Sequence, residues 1–416
     1  MYTFGIALYA FVARLISPFH KKACKMIKGQ RQTFNILKEK RIPEAEYIWF
    51  HASSLGEFEQ GRPLIEEIKN RYPQYKILLT FFSPSGYEVR KNYEGADIVC
   101  YLPFDLPQNV DHFLNIVQPK MTIFIKYEFW MNYLCSCKKR KIPTYIISAI
   151  FRPDQIFFRW YGKDYRRVLH TYEWLFVQAQ SSLDLLKKYN INNASISGDT
   201  RFDRVYDIYE RLKPLPVIEK FVENSAFTLV AGSSWPKDED IFTAYFNDHP
   251  GIKLIIAPHE IHEDHLQSIL SKLQRPAIRY SEATEENVTD KDCLIIDCFG
   301  LLSSIYRYGN MAYIGGGFGK GIHNILEAAV YGIPVIFGPN HQKFREAHEL
   351  IAFAGGFAIE NEAEFNAIAN KLITDKDALE KASQNAKTYV TSNLGATKII
   401  MENIFTPKSP KGDFSS

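Results

Sequence analysis

From Tyr47 onward, short apolar runs alternate with amphipathic stretches. YIWFH (47–51), KILLTFF (76–82), ADIVCYL (96–102), MTIFI (121–125), TYIISAI (144–150) and WLFVQA (174–179) are nearly continuous in apolar residues, the pattern of strands buried on both faces. Between them lie helical patterns such as GEFEQGRPLIEEIKNRY (56–72) and DLPQNVDHFLNIV (105–117). Strands alternating with helices of this length predict a parallel sheet covered on both sides. The pattern pauses at RLKPLPVIEKF (211–221), then restarts with FTLVAGS (227–233), IKLIIAP (252–258), CLIID (293–297), MAYIGG (311–316) and IPVIFG (333–338). The α/β reading is two facing Rossmann-like domains with an interdomain cleft. They cover residues 39–210 and 223–406, joined by a linker at 211–222 and followed by a disordered tail at 407–416. Ligands belong at the carboxyl ends of the strands.

Residues 1–38 follow a different rule. The first 19 are apolar except for Thr3, Arg14 and Ser17, and no acidic residue precedes Glu39. Arg14, Lys21, Lys22, Lys25, Lys28, Arg31 and Lys38 make this head cationic, so the net charge of +3 for the whole chain leaves −4 on residues 39–416. A secretory signal would carry its charges before the apolar run, and here the order is reversed. Nineteen helical residues span roughly 28 Å, close to the ~30 Å of a bilayer core. We therefore expect an N-terminal membrane-associated helix that either crosses the bilayer or lies in its interface. A helix buried on the body is the competing reading.

Composition narrows the class. At 46% apolar and 23% charged, the 416 residues are those of a soluble globular protein, not of a disordered chain or a polytopic membrane protein. Six cysteines without framework spacing point to a reduced, cytosol-facing compartment. The mildly acidic body argues against nucleic acid as a partner.

Two segments carry candidate chemistry. In HASSLGEFEQG (51–61), Ser53 or Ser54 can cap a helix whose first turn holds Glu57, just after a strand end. A carboxylate there either complements the helix dipole or serves as a general base. MAYIGGGFGKGIHNILEAAVYGIPVIFGP (311–339) reads as strand, glycine loop, helix and strand. It is no P-loop, because Gly321 follows Lys320 where Ser or Thr is required. The loop around Gly316 and the helix start can hold an anion, and Asn324 and Glu327 share a helix face suited to ribose hydroxyls. His259, His262 and His265 are spaced to spread round a helix, so we expect no metal.

Taken in order, these blocks resemble the transferases that move Kdo (3-deoxy-D-manno-octulosonic acid) from CMP-Kdo to a lipid A precursor. HASSLGEFE resembles that family's H-A-x-S-x-G-E segment, with Glu57 at the general-base position. FSPSGYE (82–88) and YLPFDLP (101–107) resemble the blocks that follow it. IKYEFWMN (125–132) is similar to E-x-E-L-W-P-N and places Glu128 and Trp130, with Lys126 and Met131 departing from it. SGDTRFD (197–203) is similar to G-N-x-K-F-D, with Arg201 for Lys, and GSSWPKDE matches a G-S-T block. The glycine block keeps His323, Asn324, Leu326 and Glu327. The P-R-H and D-T-x-G-E-L segments appear as APHEIHEDH and DCFGLL, where His259 replaces Arg and Leu301 replaces an acid.

The resemblance implies a GT-B fold and an inverting transfer with CMP as leaving group and no cofactor. It assigns Glu57 as base and Glu128 and Arg201 as support for the transition state. Donor contacts fall at Pro258, His259, Phe299, Gly300, Leu301, Gly316, Asn324, Ile325, Leu326 and Glu327. The partners it implies are CMP-Kdo, the lipid A precursor and a lipid surface, with the chain a monomer on the cytoplasmic face of the inner membrane, anchored by its N-terminal segment. The alternatives are a GT-B transferase or epimerase using a UDP-sugar, or a tethered nucleotide-binding protein without catalysis.

Overall fold

The computed structural model describes residues 2–211 and 213–405; the tail expected at 407–416 lies outside them. The chain divides into two compact units. One holds residues up to Arg204 together with those from Gly395 on, and the other holds Val205–Leu394.

The first unit contains β1 (Tyr47–Ala52), β2 (Lys76–Phe81), β3 (Ile98–Tyr101), β4 (Met121–Ile125), β5 (Thr144–Ala149), β6 (Trp174–Val177) and β7 (Ala194–Ile196). They form one sheet in the order β3-β2-β1-β4-β5-β6-β7, and every pair is parallel. All six residues of β1 are buried, because helices cover both faces. Trp49 and Tyr47 pack into one apolar cluster, while Ile48, Phe50 and Ala52 pack into another.

The second unit repeats the plan with β8 (Phe227–Ser234), β9 (Ile252–Pro258), β10 (Ala277–Arg279), β11 (Cys293–Ile295), β12 (Met311–Ile314), β13 (Val335–Phe337) and β14 (Gly356–Ala358), ordered β10-β11-β9-β8-β12-β13-β14. Strands β7, β10 and β14 escaped the sequence reading. Each is three residues long and closes a sheet edge, so none carries a continuous apolar run.

The division differs from the sequence expectation at both ends of the second domain. The crossing falls at Arg204–Val205, within the helix Thr200–Glu210, and not at the prolines of 211–222. The last helix, Ala396–Phe405, belongs to the first unit. Its Ile400 and Met401 join the cluster beneath β1, and Phe405 stacks on Tyr72 at 4.2 Å. Asp203 accepts from the Gly395 and Thr397 amides at 2.7 and 2.6 Å, which fixes where this helix starts.

The N-terminal head forms α1 (Tyr2–Ile16) and α2 (Lys21–Lys40), bent by 115° at the break between them. No described helix is long and apolar enough to cross a membrane by itself. Instead α1 lies on the first unit. Ala10 and Ala13 pack with Met26, Ile27, Tyr101 and Phe104, and the Tyr2 hydroxyl donates to Asp105 at 2.6 Å. Its other side leaves Phe4, Leu8, Phe11 and Leu15 exposed, and Phe19 beyond it is 92% exposed.

Candidate functional site

Each sheet has a switch point, where the connections to the strands on either side of its first strand leave on opposite faces and open a crevice. In the first unit that place lies between β1 and β4, and in the second between β8 and β12. The segments singled out by sequence emerge at these two points.

After β1 the chain enters α3 (Leu55–Arg71), with Ser54 at its N-cap. The Ser54 hydroxyl makes no cap bond to the backbone; it donates to the Glu57 carboxylate instead. Glu57 is half-buried in the first helical turn. After β4, Lys126 turns the chain at φ 67° and leads into Tyr127, Glu128 and Trp130. The charges of Arg152, Arg201 and Glu57 all reach the Tyr127 phenol, whose pKa is raised by burial against the pull of the two arginines. The Arg152 guanidinium lies 5.9 Å from the centre of that ring and the Lys126 ammonium 5.4 Å. Glu57 and Arg201 thus share a neighbour, and Tyr127 and Arg152 are residues that sequence reasoning missed. A tyrosine after a strand end carries no signal of its own.

Glu128 is turned inward and only 6% exposed. His51 Nε2 lies 3.1 Å from its Oε2, Trp130 Nε1 donates to the same oxygen, and His51 Nδ1 is 2.9 Å from Thr80 Oγ1. Its carboxylate orients the neighbouring rings. Arg201 opens the helix Thr200–Glu210 and grips Asp199, with Nε at 2.9 Å and Nη2 at 2.7 Å. Burial alone would raise the Asp199 pKa, but the guanidinium and the Gln60 amide at 3.1 Å outweigh it and hold the carboxyl below its ordinary range.

In the second unit, β8 and β12 pack so tightly that a Cβ on Gly315 would meet the Ser233 carbonyl at 2.3 Å. Gly316, at φ 93°, gives its N–H to Asp238 at 2.9 Å, and its carbonyl accepts from Gly319 and Gly321. Those three amides are therefore committed within the protein and not offered to an anion, so Gly316 shapes the loop from inside. Asp238 also accepts from the Tyr313 hydroxyl and the Trp235 amide, and burial pushes its pKa up against these donors.

The helix expected after the loop is a single turn, Leu326–Ala329, and Asn324 precedes it. Asn324 still reaches Glu327, Nδ2 to Oε1 at 2.9 Å. Ile325 and Leu326 are fully buried, so neither side chain is open to a ligand. Pro258 ends β9 and is buried, and the His259 amide donates to Ser234. The His259 ring lies 4.7 Å from Trp235 and 4.5 Å from His323, and Trp235 Nε1 is 3.3 Å from His323 Nε2. Burial lowers the His259 pKa, and burial with the neighbouring His259 lowers that of His323 to about 4. His259 is thus neutral at pH 7 and does not restore the charge of the arginine it replaces. Phe299 is 77% exposed, Gly300 turns at φ 95°, and the Leu301 carbonyl accepts from the Ser304 and Ile305 amides.

Two parallel sheets of this kind, each presenting its distinctive residues at a switch point, define the GT-B fold. A solved UDP-GlcNAc 2-epimerase from Neisseria meningitidis shares the fold at a TM-score of 0.63 and 15% identity, over 86% of this chain and 98% of that one. The calicheamicin glycosyltransferase CalG4 shares it at 0.55 and 11%, over 86% and 97%. Within that fold, residues 28–204 match the family model of the 3-deoxy-D-manno-octulosonic-acid transferases (kdotransferases). The transferase of that name from Aquifex aeolicus is 27% identical over 80% of this chain and 88% of its own length. The one from Haemophilus influenzae is 24% identical over 86% and 87%.

Proposed function

We propose that this protein transfers Kdo from CMP-Kdo to a lipid A precursor in lipopolysaccharide assembly, inverting the anomeric carbon and releasing CMP. Glu57 takes the proton of the acceptor hydroxyl as its oxygen bonds to the anomeric carbon, and the electron pair of the breaking bond leaves with the CMP phosphate. Arg201 and Arg152 offset charge beside that centre. Glu128 acts by positioning His51 and Trp130. The second unit holds the nucleotide, with Asn324 and Glu327 toward the ribose and the Trp235, His259 and His323 rings beside the base. The observation that carries the reading is Glu57 itself. It is a half-buried carboxylate at the switch point of the first sheet, sharing the neighbour Tyr127 with two arginines, in a chain whose relatives bear this transferase name.

The exposed apolar side of α1 and the basic residues of α2 favour action at an anionic lipid surface, the cytoplasmic face of the inner membrane. The chain works there as a monomer. Incubating it with CMP-Kdo and the lipid A precursor, and reading the acceptor by mass, tests the assignment. A gain of one or more Kdo units is expected. Unmodified acceptor beside an active control transferase rejects it.

A further inference from the structure

Where α1 meets α2, Arg14, Gln30 and Arg31 line a cavity of about 170 Å³. Phe34 and Phe104 give it apolar walls, and Asn109 closes one side. Gln30 is only 8% exposed, and its Nε2 has no hydrogen-bond partner among the described residues. A buried amide donor left unpaired costs about 1–3 kcal/mol, so its retention points to a ligand that supplies an acceptor. The Arg14 guanidinium sits 6.0 Å from the centre of the Phe104 ring, and neither arginine is ion-paired among the described residues. Phe11, one turn before Arg14, and Leu15, beside it, are both 57% exposed.

We propose that this cavity binds the phosphate of an anionic phospholipid headgroup and so fixes α1 at the bilayer surface. The inference rests on the membrane-facing reading of the first unit and adds a specific site to it. The two guanidinium groups and the amide N–H that line one cavity are donors suited to an oxyanion, and the arginine fork matches phosphate geometry. The exposed Phe11 and Leu15 then enter the acyl boundary beside the seated headgroup. The lysines at 21, 22, 25 and 28 add diffuse attraction without selecting a group.

The test is co-sedimentation of the full chain with phosphatidylcholine vesicles containing phosphatidylglycerol. Lys22→Gln removes one diffuse charge and should weaken partitioning about fivefold. Gln30→Leu removes no charge and should weaken it roughly tenfold, and Arg31→Gln should exceed both. Circular dichroism checks that each variant folds, and Gln30→Leu decides the matter if Arg31→Gln does not. Equal losses in Arg31→Gln and Lys22→Gln, with none in Gln30→Leu, reduce the cavity to part of a basic patch and overturn the proposal.

Soluble dihexanoyl phosphatidylglycerol should displace the protein from vesicles. Inorganic phosphate that displaces it equally well makes this a free-anion site instead. Turnover of detergent-dispersed acceptor should be unchanged in all three variants. A fall in Arg31→Gln assigns the cavity to the acceptor's own phosphate and rejects the phospholipid. Wild-type protein that ignores every vesicle removes the membrane reading as a whole, whereas vesicle binding indifferent to Gln30 removes this site alone.

Discussion

His51 at the end of β1 and Glu128 beyond β4 meet across the switch point of the first sheet, Nε2 to Oε2 at 3.1 Å, with the histidine fully buried. Trp130 donates to the same carboxylate, so one buried oxygen ties two strand ends together. The loop that carries Lys126 and Tyr127 therefore has a fixed course.

Removing that oxygen should loosen the loop. Glu128→Leu removes the acceptor that His51 Nε2 and Trp130 Nε1 share, leaving only their 3.1 Å contact with each other, and should cost about 1–3 kcal/mol of stability. Glu128→Gln keeps an acceptor and should lose less than half as much. Chemical denaturation of the two variants measures the difference, and equal losses would deny the carboxylate its positioning role.

Glu57 answers to a different readout. Glu57→Gln should lower turnover by about 10²–10⁴-fold while CMP binding, followed by calorimetry, stays within about twofold. A parallel loss of CMP affinity would make the carboxylate a binding group and not the base.

Arg201→Ala should leave Asp199 buried without its cation and cost about 3–5 kcal/mol. Because the Asp199 pKa is depressed in the fold, its contribution is present above the unfolded value and is lost as pH falls through the folded one. The destabilisation by Arg201→Ala should therefore be larger at pH 7 than at acid pH, as equilibrium unfolding at a series of pH values will show.

The His323 pKa, lowered to about 4 from an ordinary 6.5, has the opposite chemistry but the same slope. Between those values the unfolded chain binds a proton that the folded one refuses, so stability rises with pH across that window and levels off above it. His323→Gln should flatten the acid limb of a melting-temperature profile between pH 4 and 6.5. An unchanged limb would mean that the ring is protonated in place.

The two parallel sheets were legible in the order of residues alone, because strands covered on both faces must be written as continuous apolar runs. The strand ends also singled out Glu57 and the loop around Gly316 as candidates, and the family resemblance added Glu128. The sequence was silent on the edge strands β7, β10 and β14, whose half-buried residues leave no such run. It took the folded chain to show that Glu128 turns inward to His51, that Gly316 commits its amide to Asp238, and that the final helix returns to the first unit. Each of these is a contact between residues far apart in the chain. Periodicity reports which face of an element is buried, and it carries no information about which distant side chain lies against it.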